Sequence, residues 1–327
     1  MNEFSQYIKI IGRGKRAGRY LSVDESYQAF KLFLANEIEP EQAGAFLMLL
    51  RVREESAEEL AGFVKACREY NLEGLNNLDV DLDLGCYAGK RRHLPWFLLA
   101  VMCLAQNGKR VFLHGTKEPE SNRLYLSEVL ETLGLVVAKD PIQANKMLDE
   151  NGFAYMDLDV VNPALDRLIQ MRKLFSLRSP ANTLARILNP SQGKSSYHGV
   201  FHRHFDERHA KVAEILGDKQ MSCIRGEGGE VEVNPERPFV QFMFVDGEQK
   251  QVEYPAYLEN WQIKPKELNP IELKQMWQGK LDSEYGKQAV LGTLTSYLVL
   301  IEQVSVEEAH IRANQLWERR DKSRFFS

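Results

Sequence analysis

A glycine-containing loop with three consecutive basic residues is the first part of the sequence that could bind a charged ligand. Residues 84–92 read Leu-Gly-Cys-Tyr-Ala-Gly-Lys-Arg-Arg, after an alternating apolar segment and before a long apolar one. Backbone amides from Gly85 onward could hold a phosphate if the loop joins a strand to a helix. Two glycines also suit an ordinary connection, so Lys90, Arg91 and Arg92 carry the prediction of an anion site.

Positive charge is concentrated in three segments of a chain whose formal net charge is only −4. Residues 1–20, 89–123 and 161–212 carry +4, +5 and +6, so the remainder carries −19. Lysines and arginines that neutralise phosphates release counterions, which gives affinity without any reading of base sequence. This segregation predicts binding to nucleic-acid backbone. A solvated helix face, or a scaffold that uses its acidic C-terminal half, are the alternatives.

Four histidines lie close together in the third basic segment: His198, His202, His204 and His209. Metal binding is one interpretation, but no cysteine or carboxylate pattern of known spacing accompanies them. The preferred interpretation is that they are polar residues among the bases, with unperturbed pKa values of about 6.5. We therefore expect nucleic-acid binding to strengthen modestly at acid pH, and we predict no metal site.

Aromatic residues also lie among the bases, where stacking on unpaired nucleobases would add roughly 1–3 kcal/mol each. They are Tyr87, Trp96, Phe97, Tyr197 and Phe201, and core packing is the stronger expectation for Trp96 and Phe97. The sequence has no Gly-x-Ser-x-Gly motif and no pair of cysteines in a Cys-x-x-Cys motif. We assign no covalent chemistry.

The elements that would position these residues fall into two groups. Apolar residues recur at helical spacing between residues 24 and 69, which predicts consecutive amphipathic helices. From about Val80 onward, strand-like segments (79–85, 109–115, 153–161, 223–226 and 239–245) alternate with helical ones (93–108, 163–175, 206–216 and 287–301), and an amphipathic helix follows at 305–320. This alternation predicts an α/β fold with a mainly parallel sheet. We divide the chain into a small N-terminal helical lobe, 1–76, and a large α/β lobe, 77–327.

Length and composition exclude several classes of protein. The chain has 327 residues, of which 44% are hydrophobic and 27% charged, enough for two folded units. Its longest apolar run, residues 94–104, contains Pro95 and is much shorter than a membrane span. Residues 1–15 lack a secretion signal, so we expect a cytoplasmic protein with reduced cysteines.

Several segments resemble anthranilate phosphoribosyltransferases in the same order along the chain. Gly108 and the segment 111–115, Val-Phe-Leu-His-Gly, take the places of that family's glycine, valine and Lys-His-Gly-Asn. Residues 37–63 resemble its helical lobe, and 162–190 resemble its His-Pro-Ala-Met and Arg-Arg-Glu-Leu to Asn-Pro segments. The resemblance implies the nucleoside phosphorylase and phosphoribosyltransferase architecture. In that architecture the cleft lies between the two lobes, and the helical lobe forms a dimer.

The sequence departs from that family at the residues that bind pyrophosphate and metal. Of the loop Gly-Thr-Gly-Gly-Asp only Gly85 remains, and Pro95–Leu98 replaces the polar segment Asn-x-Ser-Thr. Val231 stands where the family has a metal-binding aspartate, which leaves Glu232 as a vestige of a carboxylate pair. Transfer of a phosphoribosyl group needs a metal-bridged pyrophosphate, so these losses imply that most catalytic stabilisation is gone.

Basic residues of the family are better retained. His114 and Gly115 match the Lys-His-Gly-Asn-Arg segment, and Lys117 keeps its final positive charge. Arg172 and Arg178 match family arginines, and Arg178 takes the place of the one that grips the anthranilate carboxylate. The resemblance therefore makes His114 and Arg178 the catalytic candidates if any transfer remains.

Residues 12–15, Gly-Arg-Gly-Lys, and 87–91, Tyr-Ala-Gly-Lys-Arg, resemble the YbiB branch of this superfamily. That resemblance implies a homodimer that binds DNA or RNA backbone without sequence specificity, without a cofactor and away from membranes. The predicted phosphate-binding residues are Lys15, Arg16, Gly85, Lys90, Arg91, Arg92, Lys117, Arg172 and Arg178. The alternative is a phosphoribosyl- or glycosyltransferase for an unknown acceptor, which would use magnesium and phosphoribosyl pyrophosphate.

Overall fold

The N-terminal lobe is helical, as its periodicity predicts. The computed structural model describes residues 3–14 and 17–326, and the lobe contains α1 (Ser5–Gly12), α2 (Val23–Leu34), α3 (Pro40–Arg53) and α4 (Ala57–Arg68). Ser56 and Glu59 form the expected capping box at the start of α4, and Ser22 and Glu25 form another at α2. The sequence patterns did not predict α1, which is a short helix.

The large lobe is built on one sheet, which confirms the predicted fold class. Within the described residues the sheet has seven strands in the order β3-β2-β1-β4-β5-β6-β7. The first five are mutually parallel, while β6 and β7 run antiparallel at one edge. The strands are β1 (Leu82–Cys86), β2 (Val111–Gly115), β3 (Phe153–Asp157), β4 (Ser195–Gly199), β5 (Gln220–Ile224), β6 (Phe239–Val245) and β7 (Glu248–Tyr254).

Helices cover both faces of this sheet. In chain order they are α5 (Phe97–Gln106), α6 (Leu126–Thr132), α7 (Pro141–Asn151), α8 (Leu158–Val161), α9 (Pro163–Gln170), α10 (Arg172–Phe175), α11 (Ala181–Ile187), α12 (Phe205–Leu216), α13 (Ile271–Trp277), α14 (Glu284–Glu302) and α15 (Val306–Glu318). Helices α5, α14 and α15 share one apolar core with the sheet, whereas the helical lobe shares another core that includes Phe112 and Ala154. The two lobes are also joined by Arg68, which pairs with Asp218 at 2.8 Å.

Several details of the predicted elements were wrong, and helices α6, α7, α11 and α13 were not predicted. The segment 153–161 is not one strand, because α8 begins directly after β3, and the predicted helix 163–175 is divided into α9 and α10. Strands β4 and β7 were not predicted. β4 is a buried polar Ser-Ser-Tyr-His-Gly segment, in which Tyr197 pairs with Ser296 at 2.8 Å and Ser195 with Gln220 at 2.9 Å. β7 is a polar, mostly exposed edge strand without apolar alternation.

No single helix in the described chain is both long and apolar enough to cross a membrane. Helices α14 and α15 meet that test of length and composition only as a pair, with a bend of 119° between them.

Candidate functional site

A basic groove lies where the chain order of the sheet reverses. β1 and β4 are neighbours, and the loops that leave their carboxyl ends diverge there to form a crevice, the usual ligand position in open α/β sheets. Two adjoining cavities of about 340 and 280 Å³ occupy this crevice and share Arg123, Phe201 and Gly228. We call them together the arginine groove, which is lined by Arg51, Arg91, Arg92, Arg123, Arg178, Arg186, Arg225 and Arg237.

Several of these arginines are available to a ligand. Among the described residues, Arg51, Arg91, Arg92 and Arg123 have no carboxylate within ion-pair distance. Arg51, Arg91 and Arg92 are exposed, while Arg123 is half-buried and donates to the backbone carbonyls that form the groove wall. A surface that gathers unpaired guanidinium groups in a concave site favours an anionic ligand.

A larger cavity of about 610 Å³ lies at the opposite edge of the sheet, where β1, β4 and β5 begin. Its charges are mixed, because Asp81 and Asp218 line it together with Lys194 and Lys219. Lys194 already pairs with Asp81 at 2.9 Å. The arginine groove is therefore the better candidate for an anion site, although it is the smaller space.

Lys90 belongs to the interior of the protein, which corrects its prediction as a phosphate ligand. Its side chain is 1% exposed and contacts two buried carboxylates, Glu227 and Glu232, the second at 2.6 Å from Nζ. Burial opposes the ammonium charge, but the two carboxylates outweigh it and raise the pKa of Lys90. Burial likewise raises the pKa of Glu232 to about 7. Lys90 therefore holds the loop against the interior of the protein and is not available to bind phosphate.

Glu232 is occupied in a way that does not suit magnesium. One carboxylate oxygen binds Lys90, and the other accepts the backbone N–H of Phe97 at 2.8 Å. The described residues contain no group of three or more histidine, cysteine or acidic side chains that could hold a metal ion. An ammonium group thus lies at the carboxylate where the resemblance places the metal, and the residues present do not fit a metal-bridged pyrophosphate.

A series of buried hydrogen bonds fixes the loop after β1 to the neighbouring strand. Tyr87 Oη pairs with Nδ1 of His114 at 2.5 Å, and Nε2 of His114 pairs with Asp83 at 2.9 Å. Ser191 Oγ donates to the other oxygen of Asp83 at 2.5 Å. Because His114 is completely buried, it cannot touch an acceptor in this conformation, which corrects its candidacy as a catalytic residue.

Gly85 serves close packing rather than phosphate binding. It lies within β1 and is buried, and a Cβ added there would come within 3.2 Å of the Arg186 backbone and the Tyr87 ring. Gly89 is the glycine that the loop needs for its conformation. Its φ is +68°, and an added Cβ would lie 2.9 Å from Tyr125. Neither glycine therefore borders an open space that could hold a phosphate.

Arg172 and Arg178 are engaged by one buried carboxylate. Glu118 is 1% exposed and accepts from Arg172, from Arg178 at 3.0 Å and from Asn182 at 2.6 Å. Arg178 still reaches the groove wall, but its charge is largely neutralised. Lys117 lines a different cavity and pairs with Glu128 at 2.5 Å. Lys117, Arg172 and Arg178 are therefore not free to serve as primary phosphate ligands, which corrects their prediction.

Of the predicted phosphate ligands, Arg91 and Arg92 alone among the described residues are exposed in the groove. Lys15 and Arg16 lie outside the described residues. Sequence reasoning missed Arg51, Arg123 and Arg237, which belong to no motif. Arg225 was also missed, although it could have been predicted, because it directly follows β5 at the same carboxyl edge as the loop after β1.

The histidine cluster divides into a buried pair and an exposed pair. His198 and His209 are buried with their Nδ1 atoms 3.2 Å apart, and neither Nε2 has a partner among the described residues. Burial lowers the pKa of His198 to about 3 and that of His209 well below its usual value. These two side chains therefore remain neutral at mildly acid pH, which corrects their predicted role in binding. His202 and His204 are exposed.

Replacing His209 by glutamine is expected to make the free energy of unfolding less sensitive to pH. Below the usual pKa of 6.5, the unfolded chain binds protons that the buried imidazoles do not accept. The stability due to each imidazole is complete above that pH and is lost as pH falls, by up to about 1.4 kcal/mol per unit. In urea unfolding between about pH 6 and 4, the free energy of unfolding of the variant should fall less steeply than that of the wild type, by up to about 1.4 kcal/mol per pH unit.

The exposed His202→Gln is the matched control for this comparison. Glu55 and Glu232, whose burial raises their pKa values to about 7, act in the opposite direction but do so equally in all three proteins. The difference between slopes therefore isolates the imidazole. Identical slopes for wild type and His209→Gln would contradict the assignment.

Comparison with known proteins identifies the two lobes. The chain matches the helical bundle domain of a glycosyl transferase family over residues 6–70 and the a/b domain of that family over residues 99–275. Anthranilate phosphoribosyltransferases of Bacillus cereus strain B4264 and Bacillus mycoides strain KBAB4 are each 29% identical over 213 residues. That match spans 64% of this chain and 62% of each relative, less than two thirds of their length.

Solved structures resemble the chain over nearly its whole length. The anthranilate phosphoribosyltransferase of Thermus thermophilus has a TM-score of 0.76 at 20% identity and covers 97% of this chain and 94% of its own. The Saccharomyces cerevisiae enzyme in complex with PRPP and Mg has a TM-score of 0.74 at 18% identity, with coverages of 96% and 93%. At such identities the likeness shows the fold.

Proposed function

Because this chain belongs to the glycosyl transferase family with a helical bundle and an α/β domain, we propose that it uses that fold to bind nucleic-acid backbone. The arginine groove is the binding surface, and the recognised group is the phosphate. Such binding is non-sequence-specific, because phosphate contacts carry no information about the bases. We also propose that the protein belongs to the YbiB branch of the family and is located in the cytoplasm.

The observation that carries this proposal is the set of unpaired groove arginines. Four guanidinium groups, from Arg51, Arg91, Arg92 and Arg123, converge on a concave surface without a carboxylate partner among the described residues. The acidic side chain that lines the described groove, Glu227, is itself engaged by Lys90. The groove therefore presents positive charge although the protein as a whole has a formal net charge of −4.

Binding to DNA or RNA is tested by fluorescence anisotropy with labelled oligonucleotides of unrelated sequence at several salt concentrations. We expect submicromolar affinity at low salt, with little dependence on sequence. The logarithm of the affinity should fall linearly with the logarithm of the salt concentration, because each phosphate contact releases counterions. Absence of binding even at low salt would contradict the proposal.

We also propose that the functional unit is a homodimer, which would provide two grooves to one strand. Two linked sites raise the overall affinity without any new contact, provided that one ligand reaches both. Sedimentation analysis at micromolar protein concentration should give twice the mass of the 37.6 kDa chain. A monomer at that concentration would overturn this part of the proposal.

A phosphoribosyltransferase acting on an unknown acceptor is the second candidate. The relatives named above favour it, since they carry the name anthranilate phosphoribosyltransferase. The site argues against it, because Lys90 and the N–H of Phe97 already occupy the carboxylate of Glu232.

Magnesium is expected to add nothing to any effect of phosphoribosyl pyrophosphate on the thermal unfolding temperature of this protein. A ligand that binds only the native state stabilises it by about 2.7 kcal/mol at a concentration of 100 times its Kd. Because Lys90 already pairs with Glu227 and Glu232, these carboxylates offer no site through which magnesium could strengthen the binding. A clear upward shift that requires both the magnesium and the sugar phosphate would favour the transferase instead.

A further inference from the structure

Two exposed aromatic side chains lie at the arginine groove. Phe201 follows β4, is 65% exposed and lines both cavities of the groove. Trp261 is 62% exposed and lies against the guanidinium of Arg237, a groove residue, at 5.1 Å from the ring centroid. The segment with Trp261 is held beside Arg237, because the N–H of Gln262 donates to Glu236, the residue before Arg237, at 2.7 Å.

These two residues differ from the other aromatic residues that the sequence analysis grouped with the bases. Tyr87, Trp96, Phe97 and Tyr197 are all buried and serve the core. Phe201 and Trp261 instead expose apolar rings beside guanidinium groups that attract phosphate. Nothing in the described fold packs over most of either ring, so their surface is available to a ligand.

We propose that Phe201 and Trp261 are stacking platforms for unpaired nucleobases, so that the groove prefers single-stranded to double-stranded nucleic acid. This inference rests on the proposed function and adds the class of nucleic acid that the groove recognises. In a duplex the faces of the bases are covered by their neighbours, whereas a single strand offers them together with its phosphates. Stacking on aromatic rings tolerates every base, so it adds affinity without adding sequence specificity.

Arg237 connects the two kinds of contact. Its guanidinium already lies over one face of Trp261. An arginine in this position can strengthen the platform through a cation–π interaction while its N–H groups remain near the phosphates. A backbone that follows the arginines would bring its bases to Phe201 on one side of the cavity and to Trp261 beside Arg237.

The test compares an oligothymidylate strand with a duplex of the same length, using Phe201→Ala and Trp261→Ala. Each substitution is expected to weaken single-strand binding roughly five- to 150-fold, the range for the loss of one stacked base. Duplex binding should change less than about twofold, because its phosphate contacts remain. Ile263→Ala, which alters a 98% exposed apolar residue near Trp261, should change neither.

Tryptophan fluorescence supplies a readout that a merely structural role would not move. Of the four tryptophans, Trp96, Trp277 and Trp317 are buried and only Trp261 is exposed. Oligothymidylate should therefore quench the fluorescence of the wild type through stacking on Trp261. Trp261→Phe should abolish the quenching but keep most of the affinity, because phenylalanine can still stack.

The outcomes separate this inference from the function on which it rests. Equal losses of single-strand and duplex affinity in the alanine variants would overturn it, as would an absence of quenching in a wild type that binds the strand. Unchanged single-strand affinity in both variants would also overturn it, while the backbone-binding function would stand if groove arginine variants lose affinity. Failure of the wild type to bind either oligonucleotide would overturn both the stacking inference and the proposed backbone binding.

Discussion

Replacing Lys90 by methionine is expected to lower the free energy of unfolding by about 3–5 kcal/mol, the usual cost of removing one partner from a buried ion pair. Methionine fills a similar volume, so the loss reports charge more than packing. Glu227 and Glu232 would be left buried without their cation. Chemical denaturation near neutral pH measures this difference.

The same variant should show a characteristic dependence on pH. Without Lys90, the pKa of Glu227 should rise from below its usual value to above it, and the already raised pKa of Glu232 should rise further, because burial disfavours both charges. The stability of the variant is then lost as pH rises, so its deficit should be largest at neutral pH and smaller in acid. Adding Glu232→Gln should restore part of the loss.

Arg91→Met is the matched control, because it removes a neighbouring charge from an exposed side chain. Its effect on stability should remain within about 0.5 kcal/mol. A Lys90→Met variant as stable as Arg91→Met at neutral pH would contradict the buried ion-pair cluster and return Lys90 to the set of phosphate ligands.

Replacing Arg51, Arg91 and Arg92 together by alanine is expected to reduce the salt dependence of nucleic-acid binding by roughly 2–3 units of the log–log slope. This follows if each arginine makes one phosphate contact, and it corresponds to a loss of affinity on the order of a hundredfold to a thousandfold at low salt. All three side chains are exposed and none has a carboxylate partner among the described residues. The fold should therefore tolerate the change.

A charge-matched control removes three lysines that do not line the groove, Lys139, Lys219 and Lys280, which are also exposed. Both triple variants lose three positive charges, so a difference between them reports where the charges lie rather than how many there are. We expect its slope to stay within about one unit of the wild type. Equal losses in the two triple variants would mean that diffuse charge, rather than the groove, binds the ligand.

The contrast between Lys90 and Arg91 shows where sequence reasoning about the site stops. The two residues are adjacent and both basic, yet one is 1% exposed and the other faces solvent. What separates them is a contact with Glu232, 142 residues further along the chain. Without knowledge of that contact, a run of bases is indistinguishable from a binding surface. Glu118 has the same effect on Arg172 and Arg178.

The fold was more accessible than the site because local patterns determine most of its elements. Apolar periodicity and capping residues predicted the helical lobe, and alternating segments predicted β1, β2 and the parallel sheet. β4 was inaccessible because its buried serines and histidine resemble a polar loop until the neighbouring strands are in place. The groove arginines come from separate loops, from α3 and from α11, so only the folded chain brings them together.

Hydrogen–deuterium exchange with and without a saturating single-stranded oligonucleotide tests most directly whether the arginine groove is the nucleic-acid interface. We predict protection in the loops at residues 87–96, 200–204 and 225–238. The opposite edge of the sheet, at residues 217–220, should be unchanged. Protection confined to that opposite edge, or to helices outside the groove, would contradict the central claim.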